Sequence, residues 1–264
     1  MTDMIRTLEN YPLILSLLCA LAGYLFGSVS FARIIYYSVT RSHTIEPYAE
    51  PVKNSDEKFE TDFVSASLVN KRIGAKYGCL TSIADILKVA VPMLIARFLF
   101  KTEPYFLIIP VTGIIGHYLP VYHGFVGGRG ETIMLGSMFV INWPGAILVN
   151  IVSTALGFIT GNVVVLRFTG YILMIFWVWF WFNDYRYALC MFLLNFLFWF
   201  SMRKEVARFY ELYKKGLMEK TQEEMSEEMF MGRGLGRAID RYGLPALYGK
   251  IRDKREKTGA DEIL

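Results

Sequence analysis

The sequence of 264 residues is poor in the side chains that hold metals or form disulfides, with three cysteines and three histidines. Cys19, Cys79 and Cys190 lie in or at the edge of apolar runs, without the spacing of a metal site or a disulfide framework, so we expect small core residues. The histidines are too few for a multi-histidine zinc site. The sequence therefore predicts neither a metal nor another cofactor.

Charged residues are also scarce. They make up 20% of the chain, whereas hydrophobic residues make up 54% and aromatic residues 16%. The mean hydropathy of +0.35 excludes an ordinary soluble domain with a single core. The basic residues carry no nucleic-acid signature, so no nucleic acid is expected as a partner. The composition indicates an integral membrane protein in contact with membrane lipid.

Long apolar runs predict an all-α, polytopic bundle of membrane helices. About 20 apolar residues cross the ~30 Å hydrocarbon core with every backbone hydrogen bond made inside the helix. Pro144 either kinks one long helix, which gives six spans, or separates two short ones, which gives seven. The runs cover residues 11–37, 79–100, 104–122, 133–142, 145–161, 163–182 and 187–202.

Lysine and arginine are concentrated in two segments and decide between these counts. Of 28 such residues, six lie between positions 38 and 78 and fourteen between 203 and 264. Basic segments favour the cytoplasmic side. Both face the cytoplasm if there are about seven transmembrane helices, one short or broken, with the N-terminus outside and the C-terminus cytoplasmic. We expect a multi-pass protein of the cell membrane.

This topology predicts two regions. Residues 1–202 form a transmembrane domain with a solvated loop at about 41–78. Residues 203–264 form a charged cytoplasmic extension that is a candidate docking element for a protein partner. The ends of several spans would then meet at one membrane face.

Polar residues inside the first two spans have two open interpretations each. Gly27, Ser28 and Ser30 supply small side chains and hydroxyls that either bind a phosphate or pack helices together. Asp85 and Lys88 lie three residues apart on one helical face. Because ionisable groups are costly in a membrane, they form either a structural ion pair or a functional one.

The stretch GHYLPVYHGFVGGRGE, residues 116–131, ends an apolar run with a flexible polar turn. Glycines such as Gly127, Gly128 and Gly130 leave backbone N–H groups uncovered, and Arg129 adds a full positive charge, which suits an anion. A span-connecting turn without a ligand is the alternative. His117 either bonds to a neighbouring helix or contacts a substrate.

The order of three motifs resembles a known family. GSVSF, LTSIADILK and GHYLPVYHGFVGGRG follow one another as in the bacterial acyl-phosphate-dependent glycerol-3-phosphate acyltransferases, and the resemblance covers about residues 11–208. It implies a membrane enzyme of phospholipid biosynthesis without metal or acyl-CoA. The implied reaction transfers a fatty acyl group from acyl phosphate to glycerol 3-phosphate, which gives lysophosphatidic acid and phosphate.

The chain departs from the family pattern at several polar positions. Residues 61–68 align with a family segment that has two asparagines, and both are missing here. Lys71, followed by Arg72, stands where the family has an arginine. In the last motif Arg203 replaces a histidine and Val206 replaces an asparagine.

The resemblance implies a site for two phosphorylated substrates. The expected catalytic residues are Ser28, Lys88 and Arg129, the last in place of a family lysine. The expected substrate-binding residues are Gly27, Ser30, Lys71, Arg72, His117, Gly127, Gly128, Gly130 and Arg203. The retained GSVS and GGRG motifs favour an active enzyme. The lost asparagines and histidine favour the alternative of a non-catalytic relative that binds a phosphorylated lipid precursor or a partner protein.

Overall fold

The computed structural model describes residues 9–46, 48–51, 58–61, 63–215, 221–228, 231, 233–250 and 252. The described α-helices are α1 (Pro12–Ser28), α2 (Phe31–Thr40), α3 (Ala66–Ile73), α4 (Ala75–Leu99), α5 (Ile108–Tyr118), α6 (Glu131–Thr160), α7 (Val163–Phe182), α8 (Tyr185–Lys214), α9 (Gln222–Glu228) and α10 (Arg233–Tyr242). Single 3-10 turns, Tyr105–Leu107 and Val121–His123, flank α5.

Six segments of the described chain are long and apolar enough to cross a membrane. They are Pro12–Thr40, Ala75–Leu99, Tyr105–His123, Glu131–Thr160, Val163–Phe182 and Tyr185–Leu212. The predicted all-α, multi-pass membrane architecture is confirmed. The count is six rather than the expected seven, because residues 131–160 form one candidate segment.

That segment is nevertheless broken. Asn142 has φ −156° and ψ 92°, so two helices meet there. Its side-chain Oδ1 accepts a hydrogen bond from the Gly145 N–H at 2.7 Å and one from the Trp177 indole at 3.2 Å. Asparagine caps a new helix in this way, and Pro144 in the first turn has no N–H to leave unpaired. The predicted broken helix is confirmed, with the break at Asn142.

The chain forms two compact units, Met1–Gly145 with Met174–Met218, and Ala146–Leu173 with Glu219–Leu264. The predicted boundary between residues 202 and 203 lies within α8, and the two predicted regions stay a prediction. Cys19 and Cys190 are buried as expected, whereas Cys79 is exposed.

In the first unit, α1 and α5 cross closely because glycines face each other. A Cβ on Gly27 would collide with the Gly113 backbone, and a Cβ on Gly23 would collide with Ile109 and Thr112. Small residues let membrane helices approach until their backbones touch. This crossing fixes the end of α1 against the end of α5.

The segment predicted as a solvated loop contains regular structure. Strands β1 (Tyr48–Pro51) and β2 (Lys58–Thr61) form an antiparallel hairpin, and α3 follows it. Ile45 before the hairpin and Val64 after it are buried in a cluster with Leu68 and Val69. Residues 47, 52–57 and 62 of the predicted loop lie outside the described residues. The described part is therefore anchored at both ends rather than wholly solvated.

The second unit has a small core of its own. Val163 and Leu166 of α7 pack with Ile239 of α10. The Gln222 side chain accepts a hydrogen bond from the Val163 N–H at 2.7 Å and so caps the start of α7. The tail after α8 is thus folded where it is described.

Candidate functional site

Lys88 ties three membrane segments together. Its ammonium lies 2.7 Å from the Val29 carbonyl, 2.8 Å from His117 Nδ1 and 2.8 Å from Asp85 Oδ1. The Asp85 contact is an ion pair without hydrogen-bond geometry. Two of the three N–H donors of the ammonium are therefore used in hydrogen bonds, and the carboxylate adds a charge interaction. Because the side chains of Lys88 and Asp85 are only 2% and 3% exposed, the pair is part of the protein interior.

His117 connects this pair to the glycine turn, which we define as residues 124–130. A charged lysine can only donate, so Nδ1 of His117 accepts and Nε2 carries the proton. The Gly128 N–H donates to the His117 carbonyl at 3.0 Å. A Cβ on Gly128 would collide with the imidazole. This glycine therefore serves close packing on His117, and its amide is already used rather than open to an anion.

Other backbone groups of the turn are also held. The Arg33 guanidinium donates to the Val126 carbonyl at 3.0 Å, and the Val64 N–H donates to the Gly127 carbonyl at 3.1 Å. Gly130 has φ 89°, a conformation that favours glycine. Helix α6 begins directly after it, and a helix N-terminus favours negative charge.

Arg129 lies at the surface of this cluster with a defined set of neighbours. Its guanidinium forms an ion pair with Glu205 Oε1 at 2.7 Å, and the two side chains are 26% and 11% exposed. It stacks over the Phe63 ring at 5.5 Å. The Ser201 hydroxyl donates to the Arg129 carbonyl at 2.9 Å. The end of α8 thus holds both the backbone and the charge of Arg129.

Arg203 approaches the same region from α8. It donates to the Tyr118 hydroxyl at 3.1 Å and stacks on Phe200 at 4.1 Å. The residue is exposed. Arg203 therefore adds a cation at the end of α5, beside Tyr118, which follows His117 in the sequence.

The predicted residues of the first span are buried at the helix crossing. Ser28 has no exposed surface, and its hydroxyl donates to the Tyr24 carbonyl at 2.8 Å. Gly27 faces Gly113. Ser30 precedes α2 and is also buried. These contacts are those of helix packing, which was one of the two open interpretations.

Lys71 and Arg72 lie exposed on α3. Arg72 donates to the Glu46 carbonyl at 3.2 Å and lies 3.9 Å from its carboxylate. These contacts hold the segment before the hairpin against α3. That Lys71 or Arg72 binds substrate stays a prediction.

The structure brings most of the predicted site residues to one end of the first unit. The end of α1, the end of α5, the glycine turn and residues 201–205 of α8 meet around His117 and Arg129. Glu205, Phe63 and Tyr118 were missed by the sequence analysis. Glu205 lies between Arg203 and Val206 in the last motif. Its acidic side chain inside that motif could have identified it as a partner for a basic site residue.

Comparisons with known proteins agree with this arrangement. A family model described as glycerol-3-phosphate acyltransferase matches residues 53–211. Similar curated proteins carry the name glycerol-3-phosphate acyltransferase. The protein from Aquifex aeolicus is 30% identical over 129 residues, 48% of this chain and 60% of that protein. The protein from Methylococcus capsulatus is 32% identical over 125 residues, 46% of this chain and 56% of that protein. Each match spans less than two thirds of the relative's length.

Two solved structures are similar in fold. Both are crystal structures of PlsY, an integral membrane glycerol 3-phosphate acyltransferase, one described as the lysophosphatidic acid form and the other as the glycerol 3-phosphate form. The TM-scores are 0.57 and 0.58 at 22% and 23% identity. Each alignment covers 73% of this chain and 90% of the solved chain. At this identity the likeness shows a shared fold.

Proposed function

The chain belongs to the glycerol-3-phosphate acyltransferase family, and on that basis we propose that it transfers a fatty acyl group from acyl phosphate to the 1-hydroxyl of glycerol 3-phosphate. The products are lysophosphatidic acid and inorganic phosphate. The names of the relatives and the neighbour described as a glycerol 3-phosphate form support the acceptor. The acyl-phosphate donor rests on the motif resemblance. Because the relatives are named as acyltransferases, the non-catalytic alternative is not favoured.

One observation carries this proposal, the placement of Arg129. Its guanidinium is partly buried beside the start of α6, where the helix dipole also favours an anion. A guanidinium binds a phosphate through two parallel hydrogen bonds. Glu205 forms an ion pair with this group, so a phosphate would share or replace that carboxylate. We assign Arg129 to the phosphate.

The proposed step needs orientation and charge stabilisation more than a strong base. The 1-hydroxyl oxygen of the acceptor attacks the acyl carbonyl carbon and forms the ester C–O bond. The bond from that carbon to the bridging oxygen of acyl phosphate breaks, and its electron pair and the hydroxyl proton leave with the phosphate. A cation beside the phosphate stabilises the charge that develops there. Catalytic roles for Ser28 and Lys88 stay predictions, since the Ser28 hydroxyl donates to the Tyr24 carbonyl within α1 and Lys88 donates to the Val29 carbonyl.

We also propose the orientation that the charge asymmetry favours, with the N-terminus outside and the C-terminus in the cytoplasm. It requires the helices on either side of Asn142 to cross separately. Residues 131–141 run beside α4 in the same direction, because Gly136 lies against Ile86 and Val140 accepts from Arg97. Residues 146–160 run antiparallel to the start of α7. A protein partner for the C-terminal extension stays a prediction.

The test of the proposed function is an assay of the purified protein in lipid. Acyl phosphate and glycerol 3-phosphate are supplied together, and lysophosphatidic acid and phosphate are measured. Equal amounts of both products are expected. Phosphate release without the lipid product would mean hydrolysis, and the absence of both would contradict the proposal.

Replacing Arg129 with alanine gives the sharpest variant. We expect the rate of acyl transfer to fall by at least about 100-fold, because a charged hydrogen-bond donor to the reacting phosphate is lost. Arg129→Lys keeps the charge and is expected to retain part of the rate. The unfolding midpoint in detergent serves as the control and should change little. Normal turnover by Arg129→Ala would remove this residue from the site.

A further inference from the structure

A groove of about 770 Å³ lies at the end of the first unit opposite the glycine turn. Its wall includes Ser16 of α1, which precedes Ser28 by twelve residues and hence by roughly 18 Å along the helix. The groove is therefore separate from the cluster around His117 and Arg129. Most of its wall is apolar and includes Pro12, Leu107, Ile108, Val111, Leu189 and Leu193.

The rim of the groove is acidic. Glu9 and Glu103 line it together with Arg186. The Arg186 guanidinium is committed to carboxylates, because it donates to Asp184 at 2.8 to 3.1 Å and also to Glu103. Thr102 donates to Glu9 at 2.8 Å and does not neutralise it. Glu9 and Glu103 on the rim, with Asp184 bound to Arg186, thus make three carboxylates against one guanidinium in this part of the chain.

The carboxyl beside the rim is held in its charged form. Hydrogen bonds from Arg186 lower the pKa of the Asp184 carboxyl, so this group stays ionised. By formal charge, the acidic side chains Glu9, Glu103 and Asp184 outnumber Arg186, and this excess of negative charge attracts a cation.

The groove also has the dimensions of a lipid site. Along α8 it runs from Arg186 to Leu193, seven residues or roughly 10 Å. One leaflet contributes about 15 Å of hydrocarbon, so the groove follows most of the length of an acyl chain. Its volume lies within the usual range of ligand pockets, about 300–1,000 Å³. Because the apolar lining comes from three candidate membrane spans, we expect an occupant to enter from the bilayer.

We propose that this groove binds a phospholipid with a primary-amine head group from the adjoining leaflet. The acyl chain lies between α1, α5 and α8, and the ammonium lies against Glu9 and Glu103. Ser16 and Thr112 line the end of the groove farthest from the rim, and the Thr112 hydroxyl donates to the Ile108 carbonyl at 3.2 Å. The proposal does not depend on acyl transfer, because none of these residues belongs to the site around Arg129.

The chemistry of the rim distinguishes among head groups. A primary ammonium has three N–H donors for carboxylate oxygens, and such charge-assisted bonds are strong. A quaternary choline nitrogen has no N–H, so it gains only the charge interaction. A head group with net negative charge is repelled. Ethanolamine lipids should therefore bind more tightly than choline lipids, and choline lipids more tightly than glycerol lipids.

Native mass spectrometry of the full-length protein in detergent tests this order. Ethanolamine, choline and glycerol phospholipids with identical acyl chains are added singly at the same mole ratio. We expect the ethanolamine lipid to bind about tenfold more tightly than the choline lipid, as one additional charge-assisted contact predicts. Equal binding of all three lipids, or the tightest binding by the anionic one, would overturn the proposal.

Two kinds of variant locate the binding. Glu9→Gln combined with Glu103→Gln is expected to reduce the ethanolamine preference to within about twofold, because the ionic attraction is removed. The matched control, Glu46→Gln with Glu211→Gln, removes two exposed carboxylates outside the groove and should leave the preference unchanged. If the ethanolamine preference persists in the Glu9→Gln and Glu103→Gln double variant and is lost in the control variant, the lipid binds outside the groove.

Filling the groove gives an independent measurement. Val111→Trp should lower the occupancy of all three lipids severalfold, whereas glycerol 3-phosphate binding stays as in the parent. If this variant fails to fold, the glutamate pair still decides the question. Unchanged lipid occupancy in a folded Val111→Trp protein would refute the groove as the site.

Discussion

At the scale of single residues, Lys88 has the widest influence on stability, because one ammonium contacts groups from three membrane segments. Replacing it with methionine leaves the Asp85 carboxylate buried without its partner. We expect the free energy of unfolding to fall by about 3–5 kcal/mol, measured by chemical unfolding in detergent. The double variant Asp85→Asn with Lys88→Met should recover part of this loss. Equal stability of the two variants would show that the ion pair is not the cause.

Glu205 is expected to tune how Arg129 binds an anion. Glu205→Gln keeps a hydrogen-bonding side chain but removes the competing charge. We expect the KM for glycerol 3-phosphate to fall by about three- to fivefold, the effect of a partly exposed ion pair. Glu211→Gln, an exposed carboxylate paired with Arg208, is the control. A KM that rises at unchanged kcat would mean that Glu205 binds substrate instead of restraining Arg129.

The residues around His117 show which contacts of the candidate site the sequence could predict. The sequence analysis expected the motif segments to meet, and in the structure Lys88 contacts His117, whose carbonyl accepts from the Gly128 N–H beside Arg129. That these residues form a substrate site stays a prediction. The assignment of Gly128 as an open amide did not anticipate that its N–H bonds to the His117 carbonyl. A glycine in the sequence shows only that no side chain is present. It does not show whether the backbone N–H faces a ligand or bonds to another part of the protein.

At the scale of elements, the crossing of α1 and α5 depends on glycine. In Gly27→Ala the added Cβ would meet the Gly113 backbone, which cannot move as a side chain can. We expect the free energy of unfolding to fall by about 1–3 kcal/mol, as for overpacked interiors. The measurement is thermal unfolding in detergent. Gly234→Ala is the control because nothing lies within 4 Å of its added Cβ, and an equal loss there would contradict the explanation.

The elements were predicted best where a run of apolar residues is long. The ends of α4 and α7 agree with the sequence analysis to within a few residues, because hydrocarbon thickness fixes the length of a span. The hairpin β1–β2 and helix α3 were missed. Their charged sequence predicts solvent exposure, whereas the buried Ile45 and Val64 on either side anchor the described segment.

At the scale of the whole molecule, sidedness is the open prediction. We expect an impermeant thiol reagent, applied to intact cells, to label a cysteine at position 101 but not one at 71 or 214, in a background without the native cysteines. The basic segments around Lys71 and Lys214 favour the cytoplasm, and Lys101 lies in the opposite turn. Permeabilised cells provide the control, since all three sites should then react. Labelling of positions 71 and 214 from opposite sides would show that residues 131–160 cross once.

The sequence by itself determined that this is a multi-pass helical membrane protein of one family, because apolar length, charge asymmetry and ordered motifs are properties of the chain alone. Only the tertiary structure decided which polar groups neutralise one another. The spacing of Asp85 and Lys88 already predicted their ion pair, but the contacts of Lys88 with His117 and of Arg129 with Glu205 join separate elements. Interactions of this kind depend on distances of a few ångströms in space, and residue order does not fix those distances until the helices have packed.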